Sequence, residues 1–176
     1  MVTPIETRYS GCLFRSRLEA RWAVFMDTLG LKWRYEPEGF KLPDGTCYLP
    51  DFYVEGIGWL EIKPSTDADD GKWGKFCDAY LEDPTFVAYE ICGDIPSPFF
   101  YRDPCLESFY VRKGGLTGGW DNFQWWCICQ ECQKVGIQFE GRSERICRHN
   151  GIGDKGFTGD CARIMTALIA ARSARF

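Results

Sequence analysis

Two groups of residues in this 176-residue chain are spaced for chemistry, and the first is built from acids. Pro50-Asp51 is followed, after nine intervening residues, by Glu61-Ile62-Lys63. On an extended strand, residues two apart share a face, so Glu61 and Lys63 project together while Ile62 points into the core. Asp51 falls on the partner strand of the same hairpin and can come level with Glu61. Glu19, on the polar face of the preceding helix, completes the group if that helix packs across the hairpin. Carboxylates gathered this way repel one another unless something offsets their charge. A hard divalent cation, Mg²⁺ or Mn²⁺, does so with one or two carboxylates, water and substrate phosphate. Such an ion activates water and polarises a phosphoryl oxygen, and Lys63 is suited to orient the attacking water or stabilise developing charge. The chemistry is hydrolysis of a phosphodiester. The plain alternative is a solvated hairpin whose ion pair contributes about 0–1 kcal/mol.

The second group is built from thiols. Of ten cysteines, Cys127, Cys129, Cys132, Cys147 and Cys161 crowd beside the single histidine, His149. Cys129-Gln130-Glu131-Cys132 and Cys147-Arg148-His149 form two close pairs separated by a hairpin-sized insert, a pattern that suits tetrahedral zinc. With four protein ligands the site is structural, contributing folding free energy to a small segment. Cys127 and Cys161 are alternatives for the fourth ligand. Cys12, Cys47, Cys77, Cys92 and Cys105 stand singly among apolar neighbours and read as packing.

The composition is that of a globular protein, with 45% hydrophobic, 16% aromatic and 26% charged residues and a net charge of −4. Residues 1–119 carry 13 Lys/Arg against 19 Asp/Glu, and residues 120–176 carry 8 against 6, an acidic body with a mildly basic tail. No run approaches the roughly 20 apolar residues of a membrane span, and residues 1–10 lack a signal-peptide pattern. A cytoplasmic location, in a bacterial or phage-infected cell, is expected, with no membrane partner.

The elements that must position these residues follow from periodicity. A helix is expected over 14–29, stopped by Gly30. Extended pieces follow over 32–36 and 39–42, then strands over 46–54 and 59–63. A second helix over 67–81 opens with acids that suit its dipole. Strands are expected over 85–92, 108–112 and 135–139, and a last helix over 160–175, capped by Asp160 and buried through Ile164, Leu168 and Ala171. The glycine-rich 113–119 marks a boundary between a core over 1–118 and, over 119–176, a zinc-binding Cys/His segment with a basic C-terminal helix.

The order of a helix with Glu19, Pro50-Asp51, Glu61-x-Lys63, then a further helix and strand resembles the PD-(D/E)XK nuclease superfamily. Within it, FRSRLE, LGLKWRYEPEGF, YLPDF and LEIK are similar to phage-type junction-resolving endonucleases and to small nuclease-like proteins of actinobacteria and their phages. The resemblance covers residues 12–63. It implies an α/β fold with a restriction-endonuclease-like αβββαβ core, a mixed central sheet flanked by helices, here followed by a zinc-ribbon-like appendage. It implies Mg²⁺- or Mn²⁺-dependent DNA cleavage, with selectivity for branched or nicked DNA left open, in phage DNA processing, recombination or defence, with DNA as partner and a homodimer also left open. By position, Asp51, Glu61 and the Ile62 carbonyl are the expected metal ligands, Lys63 the water-positioning group, and Glu19 a second metal contact. Pro64 stands where many members have glycine.

Arg15, Arg17 and Arg21 surround Glu19 and either hold phosphates or neutralise nearby acids, Arg15 with Glu19 being the simplest pair. Trp33, Tyr35 and Tyr48 either stack on bases or fill the core. Arg142, Arg145 and Arg148 are the expected DNA contacts of the zinc segment, extended by Arg163, Arg172 and Arg175 along the last helix. A catalytically inactive nuclease-derived module that binds DNA or protein is the alternative function. A hydrolase of small phosphoesters comes third and requires a closed pocket.

Overall fold

The computed structural model describes residues 4–65, 71–97, 110–113, 124–129, 131–139, 147, 149 and 161–176. A short hairpin, β1 (Thr7–Tyr9) and β2 (Cys12–Phe14), leads into helix α1 (Arg17–Thr28). The helix starts later than its apolar spacing suggests because Ser16 is extended and its hydroxyl accepts the Glu19 N–H, fixing the N-cap there. Gly30, at φ +73°, ends it as expected, with the Leu31 N–H closing onto the Met26 carbonyl.

Strands β3 (Trp33–Tyr35), β6 (Phe52–Val54) and β7 (Gly58–Lys63) form an antiparallel meander. Between β3 and β6 sits a separate two-stranded piece, β4 (Phe40–Lys41) with β5 (Cys47–Tyr48). The expected strand over 46–54 therefore breaks in two. Pro50, which has no N–H to give a ladder, lies at the break. Helix α2 (Lys72–Ala79) then crosses over to β8 (Ala88–Cys92), which pairs parallel with β7. It begins behind a left-handed Gly71 and has no acid in its first turn; Asp67, Asp69 and Asp70, the expected acidic start, lie outside the described residues.

Strand β9 (Tyr110–Lys113) pairs antiparallel with β8, and β10 (Gln124–Ile128) and β11 (Val135–Phe139) continue the sheet to the order β11-β10-β9-β8-β7-β6-β3. The last helix, α3 (Ala162–Ser173), follows an extended Cys161 that makes no side-chain cap. Asp160, expected to cap it, lies outside the described residues. The fold is thus mixed α/β, with a mixed sheet and three helices among the described residues.

Alternation along β7 and β8 divides the core between the two sheet faces. Leu60, Ile62, Tyr89 and Ile91 pack in one cluster with Trp22, Phe25 and Met26 of α1 and Ile164, Leu168 and Ala171 of α3. Ala88 packs on the opposite face with Trp73, Phe76 and Cys77 of α2, together with Leu42 and Tyr48. Trp126 of β10 is fully buried and lies 5.0 Å from Phe25 and 6.4 Å from Trp22, ring centre to ring centre, so the late strands share the first helix's core. No helix among the described residues is long and apolar enough to cross a membrane.

One glycine fixes how β7 enters the sheet. Gly58 has φ +123°, and a Cβ built on it would lie 2.2 Å from the Val87 carbonyl oxygen, just where the Trp59 N–H bonds that same carbonyl at 2.9 Å. Gly58→Ala is therefore expected to cost about 2 kcal/mol or more, read as a fall of about 4–8 °C in the thermal midpoint. An unchanged midpoint would refute this close approach.

Candidate functional site

Asp51 sits where the β6–β7 ladder runs out, and its side chain takes over from the backbone. Its Oδ2 accepts the Ile62 N–H at 2.7 Å and its Oδ1 accepts Arg15 Nη2 at 2.9 Å. In an extended strand the N–H and C=O of one residue point to the same side, so the Ile62 carbonyl faces the Asp51 edge too. One strand over, Glu61 Oε1 pairs with Lys63 Nζ at 2.7 Å, and Glu61 Oε2 accepts the Tyr48 hydroxyl at 2.5 Å. Asp51 is 3% exposed and Glu61 6%. Asp51, Glu61 and Lys63 are thus brought together, on the sheet face covered by α2.

The Arg15 guanidinium reaches Asp51 and also Glu36, at 2.6 Å. Burial, then the charges of Glu61 and Glu19, push the Asp51 carboxyl well above its ordinary range, against the pull of the Ile62 N–H and Arg15. Burial and the Glu61 charge likewise push the Tyr48 phenol up, so it remains a donor.

Glu19 has a different post from the expected one. Its Oε1 accepts the Ser16 hydroxyl at 2.6 Å, and its Oε2 accepts the Tyr35 hydroxyl at 2.6 Å and the Arg15 N–H at 3.2 Å. Ser16-x-x-Glu19 is a capping-box spacing, and the carboxylate closes the first turn of α1. Among the described residues, Glu19, Asp51 and Glu61 do not form a trio placed to hold one ion. Glu19 touches the site through Arg15, whose backbone it holds while the guanidinium reaches Asp51. Arg15 thus pairs with Asp51 and Glu36 rather than with Glu19 at helical spacing.

Glu90 is an acid that the sequence reading passed over. It is paired in register with Glu61 on the parallel strand β8 and is 1% exposed. Side by side on neighbouring strands, about 4.8 Å apart, the two project to the same face. The apolar run around Glu90 hid it, and its only signal is one charge inside a strand otherwise written for burial.

The other arginines divide. Arg17 and Arg21 line a small cavity of about 160 Å³ with Arg175 and Phe176, and Arg21 pairs with Asp94 at 3.7 Å. Arg163 donates to the Leu29 carbonyl at 3.1 Å and Arg172 to the Ile95 carbonyl at 2.5 Å, so both tie α3 to the body. Arg142, Arg145 and Arg148 lie outside the described residues. Trp33 and Tyr35 pack on Phe14 and Phe52, and Tyr48 on Phe76, which is the core alternative for all three.

The thiol group converges. Cys129 directly follows β10, and the turn closes when the Gln133 N–H bonds the Cys129 carbonyl and the Cys129 N–H bonds that of Lys134, both at 2.9 Å. The ligand atoms of Cys129, Cys132, Cys147 and His149 all lie within 4.8 Å of one another. Cys132 and Cys147 sulfurs are 3.6 Å apart, and His149 Nδ1 is 3.3 Å from the Cys147 sulfur. Two sulfurs bound to one tetrahedral zinc at about 2.3 Å are about 3.8 Å apart, so the spacing suits an ion at the centre. The Cys132 backbone N–H and then the Cys147 thiol pull the Cys129 thiol down to about 6, while the Cys147 thiol, despite the pull of the His149 N–H, is pushed up to about 11 by its contact with Cys129, so of these two sulfurs Cys129 ionises first. This group can hold a metal ion such as zinc. Cys127, bonded through sulfur to the Gly136 carbonyl, and Cys161, before α3, stand outside it. Cys77 and Cys92 are buried as packing residues, whereas Cys47 is exposed. No family model matches the chain, and no curated protein matches its sequence.

Proposed function

We propose that this protein is a metal-dependent DNA endonuclease whose centre is Asp51, Glu61 and Lys63, and that zinc held by Cys129, Cys132, Cys147 and His149 staples its C-terminal third. The observation that carries the reading is a buried Asp51, just before β6, beside the buried Glu61 of β7, with an ammonium two residues along the same face. The order helix, antiparallel strands, crossover helix, parallel strand supports it, as the resemblance implies. Oxygen-only donors suit Mg²⁺ or Mn²⁺, which asks for one or two carboxylates rather than three. Each carboxylate oxygen has a second lone pair, so Asp51 and Glu61 can bind an ion while the Ile62 N–H and Tyr48 hydroxyl hold their orientation. The Ile62 carbonyl offers a third oxygen.

When bound, the ion supplies a Lewis acid for the phosphoryl oxygen and for the attacking water. Lys63, anchored on Glu61 and 14% exposed, is placed to direct its ammonium to that water and to the charge that develops on the phosphoryl oxygens. Arg15, 58% exposed and paired with Asp51 and Glu36, is the guanidinium that would meet the substrate phosphate. Burial of the pair raises the worth of each of these interactions over its value in water.

The second reading, a nuclease-derived module that binds without cutting, draws on one observation: both oxygens of Asp51 and both of Glu61 already have protein partners. A panel of linear, nicked, branched and single-stranded DNA, with Mg²⁺ and Mn²⁺, separates the two. Cutting that is lost in EDTA and in Lys63→Met supports the enzyme, and cutting that survives Lys63→Met, or none on any substrate, refutes it.

A further inference from the structure

A cavity of about 500 Å³ opens at the other end of β7 from Lys63, beside Gly58 and Trp59. Its walls are Phe40, Tyr53, Trp59, Tyr80 and Phe86, all half-buried. The rings form corners: Phe40 meets Trp59 at 88° and Tyr53 meets Trp59 at 63°, each pair with centroids 5.0 Å apart. Phe86 stacks on Tyr80 at 23° and extends one wall. Glu38 and Asp83, both exposed, complete the lining. The phosphodiester chemistry proposed above uses none of these residues.

Ring faces carry negative potential, and here two carboxylates stand with them. The same wall already accepts a cation within the molecule, since the Arg34 guanidinium lies 5.1 Å from the Tyr53 ring centre. The Asp83 carboxylate is fixed by the Thr85 hydroxyl at 2.7 Å and the Thr85 N–H at 2.8 Å, which hold it below its ordinary range and so ionised. A nucleotide can stack a base on such walls, but its phosphate would meet Glu38 and Asp83. A neutral apolar ligand leaves both charges without a role. The volume is that of a small-molecule site.

We propose that this cavity binds an organic cation, a guanidinium or alkylated ammonium head on an apolar stem, held by the aromatic faces and neutralised by Glu38 and Asp83. The site stands apart from the carboxylate centre, and its ligand is recognised by charge and ring contact together.

The test is an NMR titration of the full chain, following the Trp59 indole N–H and the Val87 amide. The probes are choline, N-acetyl-arginine amide, AMP and 3,3-dimethylbutanol, the last a neutral isostere of choline. Saturable shifts at both reporters are expected with one or both cations, about ten-fold tighter than with the neutral isostere. Preference for the arginine amide points to a side chain of a protein partner, and preference for choline to a free quaternary amine. In Glu38→Gln with Asp83→Asn the advantage over the isostere is expected to fall about three-fold, the ring contacts keeping the rest; asparagine keeps the acceptor for Thr85, so the turn survives. Equal binding of the isostere, tighter binding of AMP, an unchanged preference in the double variant, or no saturable shift would each overturn the proposal.

Discussion

Asp51→Asn is expected to lower divalent-cation-dependent DNA cleavage by about 10³-fold while leaving the metal-free protein folded and at least as stable at neutral pH. The substitution keeps an oxygen for the Ile62 N–H and removes a charge that burial and Glu61 oppose. The pH dependence of stability carries the same signature. Because the folded carboxyl titrates above its ordinary 3.8, the folded state holds a proton there that the unfolded chain has released. Its contribution is present below pH 3.8 and is lost as pH rises through the folded value. Other acids titrate in both chains, so the diagnostic quantity is the difference: wild type should lose stability relative to Asp51→Asn on going from pH 4 upward. A saturating divalent cation should reverse that difference, since it binds the ionised form. Denaturant melts of both proteins at a series of pH values, with and without Mg²⁺, measure it. An Asp51→Asn variant less stable than wild type throughout would mean that the Arg15 contact outweighs the repulsion.

Stripping the thiol site is expected to have the largest effect on the fold. Structural zinc returns about 10–16 kcal/mol of binding free energy in small peptides. Here β10 and β11 are already paired and Trp126 is already buried, so only part of that is at stake. Even a third of it lowers the thermal midpoint of a chain this size by about 10 °C. Chelation, Cys129→Ser and His149→Ala should each produce that fall and each remove one equivalent of zinc. Cys127→Ser and Cys161→Ser should retain the zinc, since neither sulfur belongs to the group. A melt unmoved by chelation, or zinc lost from Cys161→Ser, would count against the assignment.

How much of this was legible beforehand depends on whether a residue's task is local or set by tertiary contact. Asp51, Glu61 and Lys63 could be read because strand alternation and hairpin pairing are short-range rules, and β6 and β7 obey them. The four ligands on either side of the 133–146 insert were readable because tetrahedral zinc constrains spacing. Glu19 was assigned to the metal by its place on the helix, whereas Ser16-x-x-Glu19 carried a capping signal that competes for the same carboxylate. Arg15 reaches across 36 residues to Asp51, a contact no local pattern encodes. Glu90 depends on parallel pairing through a crossover, and β10 on aromatic burial against a helix a hundred residues earlier. Nothing in a window around Trp126 announces Trp22 and Phe25. Beyond the glycine-rich 113–119 the sheet continues through β10 and β11.

The most direct measurement is the position of a bound ion. Crystals soaked in Mn²⁺ should show one anomalous peak about 2.1 Å from an oxygen of Asp51 and one of Glu61, with Arg15 withdrawn from Asp51 and no such peak in Asp51→Asn. Manganese found elsewhere, or Asp51 still clasped by Arg15 with no ion beside it at saturating Mn²⁺, would contradict the assignment of this pair as a catalytic metal centre.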